Sequence, residues 1–535
     1  MRSRFPCAAL LVLVFPVLAQ SAGMPADADL QRRGARIGRV LIQIDEVFDG
    51  SSQLAAPYRL VNGLHVATQE ETVQRQLLFR SGDPYEPRLL AESERLLRSQ
   101  SYVNEAVIQP VEYRENEVDV LVRVHDVWAL SAGVSLGRKG GENSARLKVE
   151  DANFLGRGKR VSLARWSDVD RSAWRLAYDD SNVLGSRWQM AGAFATMSDG
   201  GERTLAVRHP FYSLGTSWSA GSAVSSVTSA VSRYSLGSAV QNVDMNEQIL
   251  ALDGGVSAGL VDGWARRYLG GLRSVSRRFS LRPDEPLAVL PEDRDLVYPW
   301  VGLELIEDAF VRTRNLDQIG RTEDVYLGRR ARLELGLATQ AFGSTRDGMI
   351  LSGALQAGAD LGRNRLWFGA LDTSGRIEDG SLVNGRLALN SRFYLRHSDH
   401  RLSFASLTAT CTSNLDPEEQ LVLGGDNGLR GYPLRYQAGT SSALLTLEER
   451  FYSRWQPLKL FDVGAAVFID AGRAWGSSEL AAEPAGWLAD AGFGLRLGSA
   501  RSALGNVLHI DLAFPLNGPA DIDQVQLLIE TRKSF

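Results

Sequence analysis

Residues 382–397 alternate between two faces that no soluble core can hold together. One face carries Val383, Leu387, Leu389, Phe393 and Leu395; the other carries Asn384, Arg386, Asn390, Arg392 and Arg396. A strand sends successive side chains to opposite sides, so this segment presents one apolar and one cationic surface. Burying the second face in an apolar core is prohibitive, because unpaired charges resist leaving water. A water-filled lumen accepts it while the apolar face meets lipid. Similar dyads recur at 160–166, 174–178, 188–194, 325–339 and 464–472. From 131 to 535 no helical period interrupts them, and Gly, Asn, Asp and Ser separate the segments. The expected fold is an all-β transmembrane barrel over 131–535. At roughly 25 residues for each strand with its connection, it has about 16 antiparallel strands. Closure is essential, because it leaves no backbone group unpaired in lipid. Soluble sheet repeats, as in a propeller, are the alternative, but no fixed period supports them.

Composition fits many turns, with 52 glycines in 535 residues. The formal net charge of -4 gives no reason to expect nucleic acid. Beyond the N-terminus no apolar run is long enough for a membrane helix. Residues 1–19 read as a secretory signal: Arg2 and Arg4, an apolar run over 8–18, and a small-residue cleavage site at Val17-Leu18-Ala19, with Ala22 as the alternative. A membrane anchor is the competing reading; the run is short and no basic stop follows. Cys7 lies in the signal, which leaves Cys411 alone in the mature chain. Neither an intramolecular disulfide nor a thiolate metal cluster is expected.

Residues 20–35 read as a flexible leader, and the pattern changes over 36–127. A strand is expected over 37–47, then a longer connection over 48–68. A helix over 69–79 carries Val73, Leu77 and Leu78, and Ser81-Gly82-Asp83-Pro84 ends it. A second helix, 86–99, puts Leu89, Leu90, Leu96 and Leu97 on one face and Glu92, Glu94, Arg95 and Arg98 on the other. Strands over 103–113 and 118–127 complete a compact α+β domain of order β-α-α-β-β. Phe79-Arg80-Ser81-Gly82-Asp83-Pro84-Tyr85, with Leu89, Leu96 and Tyr102, resembles a POTRA domain. The resemblance implies a periplasmic domain whose edge strand takes up an extended client chain. A rigid spacer or a barrel plug is the alternative.

Gly424-Gly425-Asp426-Asn427-Gly428-Leu429-Arg430-Gly431-Tyr432-Pro433 is rich in turn formers yet holds an arginine and a tyrosine between glycines. About forty residues on, Phe468-Ile469-Asp470-Ala471-Gly472 alternates, with Phe468, Asp470 and Gly472 on one face. Glu448 and Arg450 likewise oppose Leu445, Leu447 and Phe451. A loop folded into the lumen brings Arg430 to Asp470, with Glu448 as a second acceptor, because a guanidinium holds two carboxylate oxygens at once. Gly431 permits the turn, and Tyr432 is expected against the wall near Phe468 and Gly472.

Leu429-Arg430-Gly431-Tyr432 resembles the loop-six motif of the Omp85 superfamily, and Phe468-Ile469-Asp470-Ala471-Gly472 is similar to its partner strand. Gly492-Phe493-Gly494-Leu495-Arg496-Leu497 looks like the next strand, and Asn153-Phe154-Leu155-Gly156-Arg157-Gly158 like the opening strands. The resemblance implies an outer-membrane protein of a Gram-negative bacterium that inserts or translocates polypeptide. Its implied seam lies between a first strand near 131–137 and a last strand near 525–535. The last strand closes on Phe535, an assembly signal in such barrels. Implied partners are the bilayer, an unfolded or extended client, and periplasmic chaperones or accessory assembly proteins. No cofactor, metal or nucleic acid is implied. A partner-specific secretion pore and a passive channel or structural barrel are the competing functions.

Catalysis is not expected. Gly133-Val134-Ser135-Leu136-Gly137 fits a hydrolase pattern, but that motif needs a helix after its turn, and both flanks read as strand. His397-Ser398-Asp399-His400 reads as a polar turn, not a metal site. Glu448 and Glu449 are adjacent in a strand and face opposite ways.

Overall fold

The computed structural model describes residues 24–45, 66–283, 289–319, 321–457, 461–476, 486–499, 507–520 and 522–532. The expected signal segment and Phe535 lie outside them, as does most of the connection expected over 48–68.

An N-terminal unit precedes the barrel. It holds α1 (Asp27–Arg32), β1 (Arg36–Asp45), α2 (Glu70–Gln74), α3 (Pro87–Arg98), β2 (Val103–Arg114) and β3 (Glu117–Asp126). Its sheet has the order β1-β3-β2, with β1 parallel and β2 antiparallel to β3. Val118, Val120, Val122 and Val124 alternate into one core with Leu30, Val73, Phe79, Leu97 and Tyr102.

Ten barrel strands follow: β4 (Leu130–Lys139), β5 (Glu142–Asp151), β6 (Lys159–Ser167), β7 (Ser172–Asp180), β8 (Gln189–Met197), β9 (Gly200–His209), β10 (Trp218–Ser235), β11 (Ser238–Val261), β12 (Trp264–Leu281) and β13 (Arg294–Glu307). A hairpin, β14 (Phe310–Arg314) and β15 (Thr322–Tyr326), stands outside the wall. The wall resumes with β16 (Arg329–Ala338), β17 (Gly348–Asp360), β18 (Arg365–Glu378), β19 (Ser381–Ser398) and β20 (Arg401–Ser413). Residues 414–440 form a loop containing the small pair β21 (Leu421–Leu423) and β22 (Gln437–Gly439). The last five strands are β23 (Ser441–Tyr452), β24 (Phe461–Trp475), β25 (Leu488–Ser499), β26 (Val507–Pro515) and β27 (Gln526–Arg532).

The closed barrel therefore has 20 antiparallel strands, which corrects the expected sixteen or so. The estimate assumed long connections throughout. Instead β4 to β9 pack six strands into residues 130–209, joined by short turns. These strands hold nine or ten residues, whereas β10, β11 and β12 hold 18, 24 and 18. About ten tilted residues cross a bilayer's apolar band, so the longer three project beyond it. Alternate side chains face lipid: Val134 is 71% exposed, Leu136 64% and Val301 66%. No described helix is long and apolar enough to cross a membrane; strands make this wall. In β19 Leu387 points outward at 48% exposure, while Tyr394 turns inward and is buried.

The N-terminal expectation also needs correction, since the unit is not the compact two-helix α+β domain anticipated. Part of the presumed leader is α1, and its Leu30 is buried in the core. The helix expected over 69–79 shrinks to α2. The barrel competes for its later groups: Arg187 donates to the Leu77 carbonyl at 2.8 Å, and Gln76 bonds Asn182 at 2.6 Å. The polar face of α3 is not solvated either. Glu92 accepts the Leu214 N–H at 2.7 Å, and Arg98 forks onto Asp324 at 2.7 Å twice. The unit thus sits on the turns of one barrel end, called the lower end below. At Gly156 the fit is tight: φ is +71°, and a Cβ would lie 2.4 Å from the Ala67 carbonyl oxygen.

The hairpin links this unit to the lumen. Arg95 lies 4.3 Å from the Phe310 ring centre, and Thr322 bonds Glu105 at 2.6 Å. Glu323 accepts the Leu316 and Asp317 N–H groups, which shapes the tip. Leu316 and Ile319 then pack inside the barrel against Tyr394, Leu402, Tyr452 and Ala466.

Candidate functional site

The loop over 414–440 folds inward from the upper end. It is the eighth upper connection, not the sixth, because the wall has four more strands than expected. Its first limb is tied across the mouth by charge. Asp416 binds Arg294 at 2.7 Å and Arg376 at 2.8 Å; Glu418 binds Arg294 at 3.0 Å and Arg277 at 3.1 Å. Asp416, Glu418 and Glu419 have the spacing of a cation site, but arginines occupy their charge. Gln420 pairs both ways with the Tyr234 backbone at 2.7 Å. At the tip, Gly425 N–H bonds the Pro433 carbonyl at 2.9 Å, and Leu429 N–H bonds Gly424 at 3.0 Å.

Arg430 projects from this turn into a buried charge cluster. Its guanidinium donates to both Asp470 oxygens at 2.7 and 3.0 Å, and to Glu448 at 2.8 Å. It lies flat on Phe468, 3.3 Å from the ring centre. Thr446 donates to Asp470 at 2.7 Å. Glu448 also accepts from Arg450 at 3.0 Å, and Arg450 reaches the Leu316 carbonyl at 3.2 Å. Such a paired, hydrogen-bonded cluster is tolerable in a dry interior only when nearly complete. Beside it, Arg496 pairs with Asp511, whose other oxygen lies 3.6 Å from Arg430.

The neighbouring residues of the motif each fill a close-packed position. Gly431 N–H bonds Asp490 at 3.0 Å, and a Cβ on Gly431 would lie 2.7 Å from the Asp490 Cβ. Leu429 and Tyr432 are fully buried with Leu423, Tyr436, Ala474 and Leu488. Tyr432 sits not against Phe468 and Gly472, as anticipated, but further round the wall. Its hydroxyl lies 2.7 Å from the Ala489 carbonyl and 2.8 Å from that of Asn517, donates to one, and accepts from Ala489 N–H at 3.1 Å. Arg430 takes the face of Phe468, so the tyrosine is displaced. Gly472 instead leaves room for Leu423 of the loop, 3.0 Å from its notional Cβ.

Sequence reasoning missed Asp490, Asp511, Thr446 and Asn517. Asp490 faces Asp470 in the register of β24 and β25, and Asp511 lies on β26. Inward carboxylates in consecutive strands are the signal that points to them. The hydrolase-like Ser135 is mid-strand in β4, and His397 ends β19, bonding Ser403.

Arg435 ties the loop's return limb above the wall, pairing with Asp426 of the same loop at 3.3 Å and with a residue of the β6–β7 turn. Arg435 forks onto Asp170 at 2.7 and 2.6 Å. Hydrogen bonding from Arg435 holds the Asp170 carboxyl below its ordinary value, against the opposing effect of burial. A lowered folded-state value means that the stabilisation is complete above the ordinary range near about pH 4. It is lost as pH falls through the lowered value. The melting-temperature gap between the natural protein and Asp170→Asn should therefore close as pH drops from about 5 to about 2. A gap that persists at the acid end contradicts this role.

Residues 328–532 match the Omp85 superfamily domain. No curated protein matches the chain. Among solved structures, CdiB from Acinetobacter baumannii is 10% identical, with a TM-score of 0.47 over 94% of this chain and 74% of that one. CdiB from Escherichia coli is 16% identical, TM-score 0.46, over 93% and 76%. BamA from Haemophilus ducreyi lacking POTRA domains 1-3 is 12% identical, TM-score 0.39, over 93% and 85%.

Proposed function

We propose that this chain, whose residues 328–532 match the Omp85 superfamily domain, is an outer-membrane β-barrel that inserts or translocates polypeptide. The observation that carries this reading is the seam. Among the described residues β27 and β4 register one pair, Ile529 with Arg138, whereas β26 and β27 register seven and β4 and β5 ten. A Lys139–Glu530 ion pair at 2.5 Å helps close it. Ser135 and Thr531 share a further hydrogen bond across it at 3.2 Å. A strand edge with a single registered pair among the described residues is where an extended client can add its own backbone hydrogen bonds.

The inward loop rests on the same seam. Pro433 and Leu434 crowd Gly140 in the β4–β5 turn, where a Cβ would lie 2.4 Å from the Leu434 nitrogen. The Arg430 latch thereby holds the seam's upper corner. In this reading the lower end faces the periplasm, and the N-terminal unit receives the client. Beyond Ile37 the outer edge of β1 pairs with no described strand, so it is available for strand addition. The role is mechanical: binding and guiding a chain, with no bond chemistry.

Quantitative outer-membrane proteomics after depletion tests this. Loss of one or a few barrel or surface proteins is the expected result and names the client. An unchanged outer-membrane proteome and secretome would overturn it in favour of a passive barrel.

A further inference from the structure

We propose that the lumen beside β5 to β9 is a path for small inorganic anions. A cavity of about 580 Å³ runs along this inner wall. Arg146, Lys148, Arg160, Arg175 and Arg208 line it. Lys148 pairs with Glu150 at 2.6 Å, Arg160 with Asp179 at 3.0 Å and Arg175 with Glu202 at 3.0 Å. Among the described residues Arg146 and Arg208 have no carboxylate partner; Arg146 only leans toward the Trp166 ring, at 5.6 Å. Five cations thus meet three ion-paired carboxylates; Asp253 is a fourth nearby, since its Oδ2 and the Arg208 Cγ lie 2.9 and 3.0 Å from one notional Cβ on Gly221, and a positive excess remains. A cleft of one sign between low-dielectric walls focuses the field and concentrates counter-ions.

The charges are spread over the height of the wall. The register Arg146–Trp166–Ala173–Met197–Gly200 sets Arg146 level with the top of β9. Arg208 is eight residues further along β9, roughly 27 Å of strand at about 3.4 Å per residue and less than that in height, because barrel strands tilt. Lys148, Arg175 and Arg160 occupy the interval. Several of their neighbours are small, Ala177, Ala191 and Ala206 among them, which leaves room for the cavity. Its volume over that distance suits small ions in file, not a polypeptide with side chains. The latch and hairpin tip pack against β19 to β26 on another part of the wall, while the loop's limbs reach Asp170 and Tyr234 at the upper rim above this cavity.

The test is the reversal potential of the purified full chain in planar bilayers under a potassium chloride gradient. Chloride should be favoured over potassium at low salt, and the preference should fade near 1 M, where screening acts within about 3 Å. Arg146→Gln with Arg208→Gln removes two arginines that make no ion pair among the described residues and so breaks none, so the barrel should fold, as heat-modifiable migration will report. This double variant should lose most of the chloride preference, a several-fold drop in the permeability ratio. Absent conductance, a potassium preference, or an unaltered ratio in the folded double variant would each overturn the proposal. The outcome does not bear on polypeptide handling, which rests on the seam.

Discussion

Arg430→Ala should lower barrel stability by about 3–5 kcal/mol, the usual result of removing one partner from a buried ion pair. Most of that loss comes from Asp470. It gives up both guanidinium contacts and keeps only Thr446, while Glu448 retains Arg450. Lysine in place of Arg430 should recover only part, because an ammonium cannot fork onto two oxygens while lying on the Phe468 ring. Arg430→Met with Asp470→Leu should recover most of it, since removing both charges leaves neither of the two buried without its partner. Denaturant midpoints of heat-modifiable migration give the comparison. Near-equal stabilities for Arg430→Ala and the natural protein would mean that the cluster carries no net strain on losing its cation, and would remove the latch as a structural element.

Locking the seam should abolish function without unfolding the barrel. Arg138 and Ile529 are direct partners across β4 and β27. Facing residues of antiparallel strands have Cα atoms about 4.5–5.5 Å apart, within the disulfide range. Cysteines at both positions, with the exposed Cys411 replaced by serine, should crosslink on oxidation. Client delivery, measured as the abundance of the proteins lost on depletion, should fall to the depleted level and return on reduction. The same crosslink at Leu335 and Leu351, partners in the continuous β16–β17 ladder, should have no effect. Full client delivery by the oxidised seam variant would show that the seam does not need to open.

Alternation made the barrel legible, because period two with a charged second face has few other physical homes. Strand number was not legible in the same way. It depends on turn lengths, and the tight connections of β4 to β9 leave a weaker mark than the strands they join. The N-terminal helices were misjudged for a related reason. Their polar faces read as solvated, yet Glu92 and Arg98 are satisfied by barrel residues more than a hundred positions away. In the site, Arg430, Asp470 and Glu448 stood out because a loop arginine among glycines is unusual and inward carboxylates break an apolar pattern. Asp490 carried the same inward-carboxylate sign one strand on and was passed over, whereas Asn517 gave none, since an asparagine in a turn is ordinary. The position of Tyr432 was decided by competition for one aromatic face, which spacing does not encode.

The hairpin outside the wall has a mechanical consequence. Arg98 of the N-terminal unit grips Asp324, and the hairpin tip gives its Leu316 carbonyl to Arg450. Arg450 shares Glu448 with Arg430. Floor and ceiling are therefore joined by one continuous tie rod through the lumen, anchored on the wall at β23. A load on the unit below can therefore reach the Arg430 latch through these side chains as well as through the hydrogen bonds of the wall.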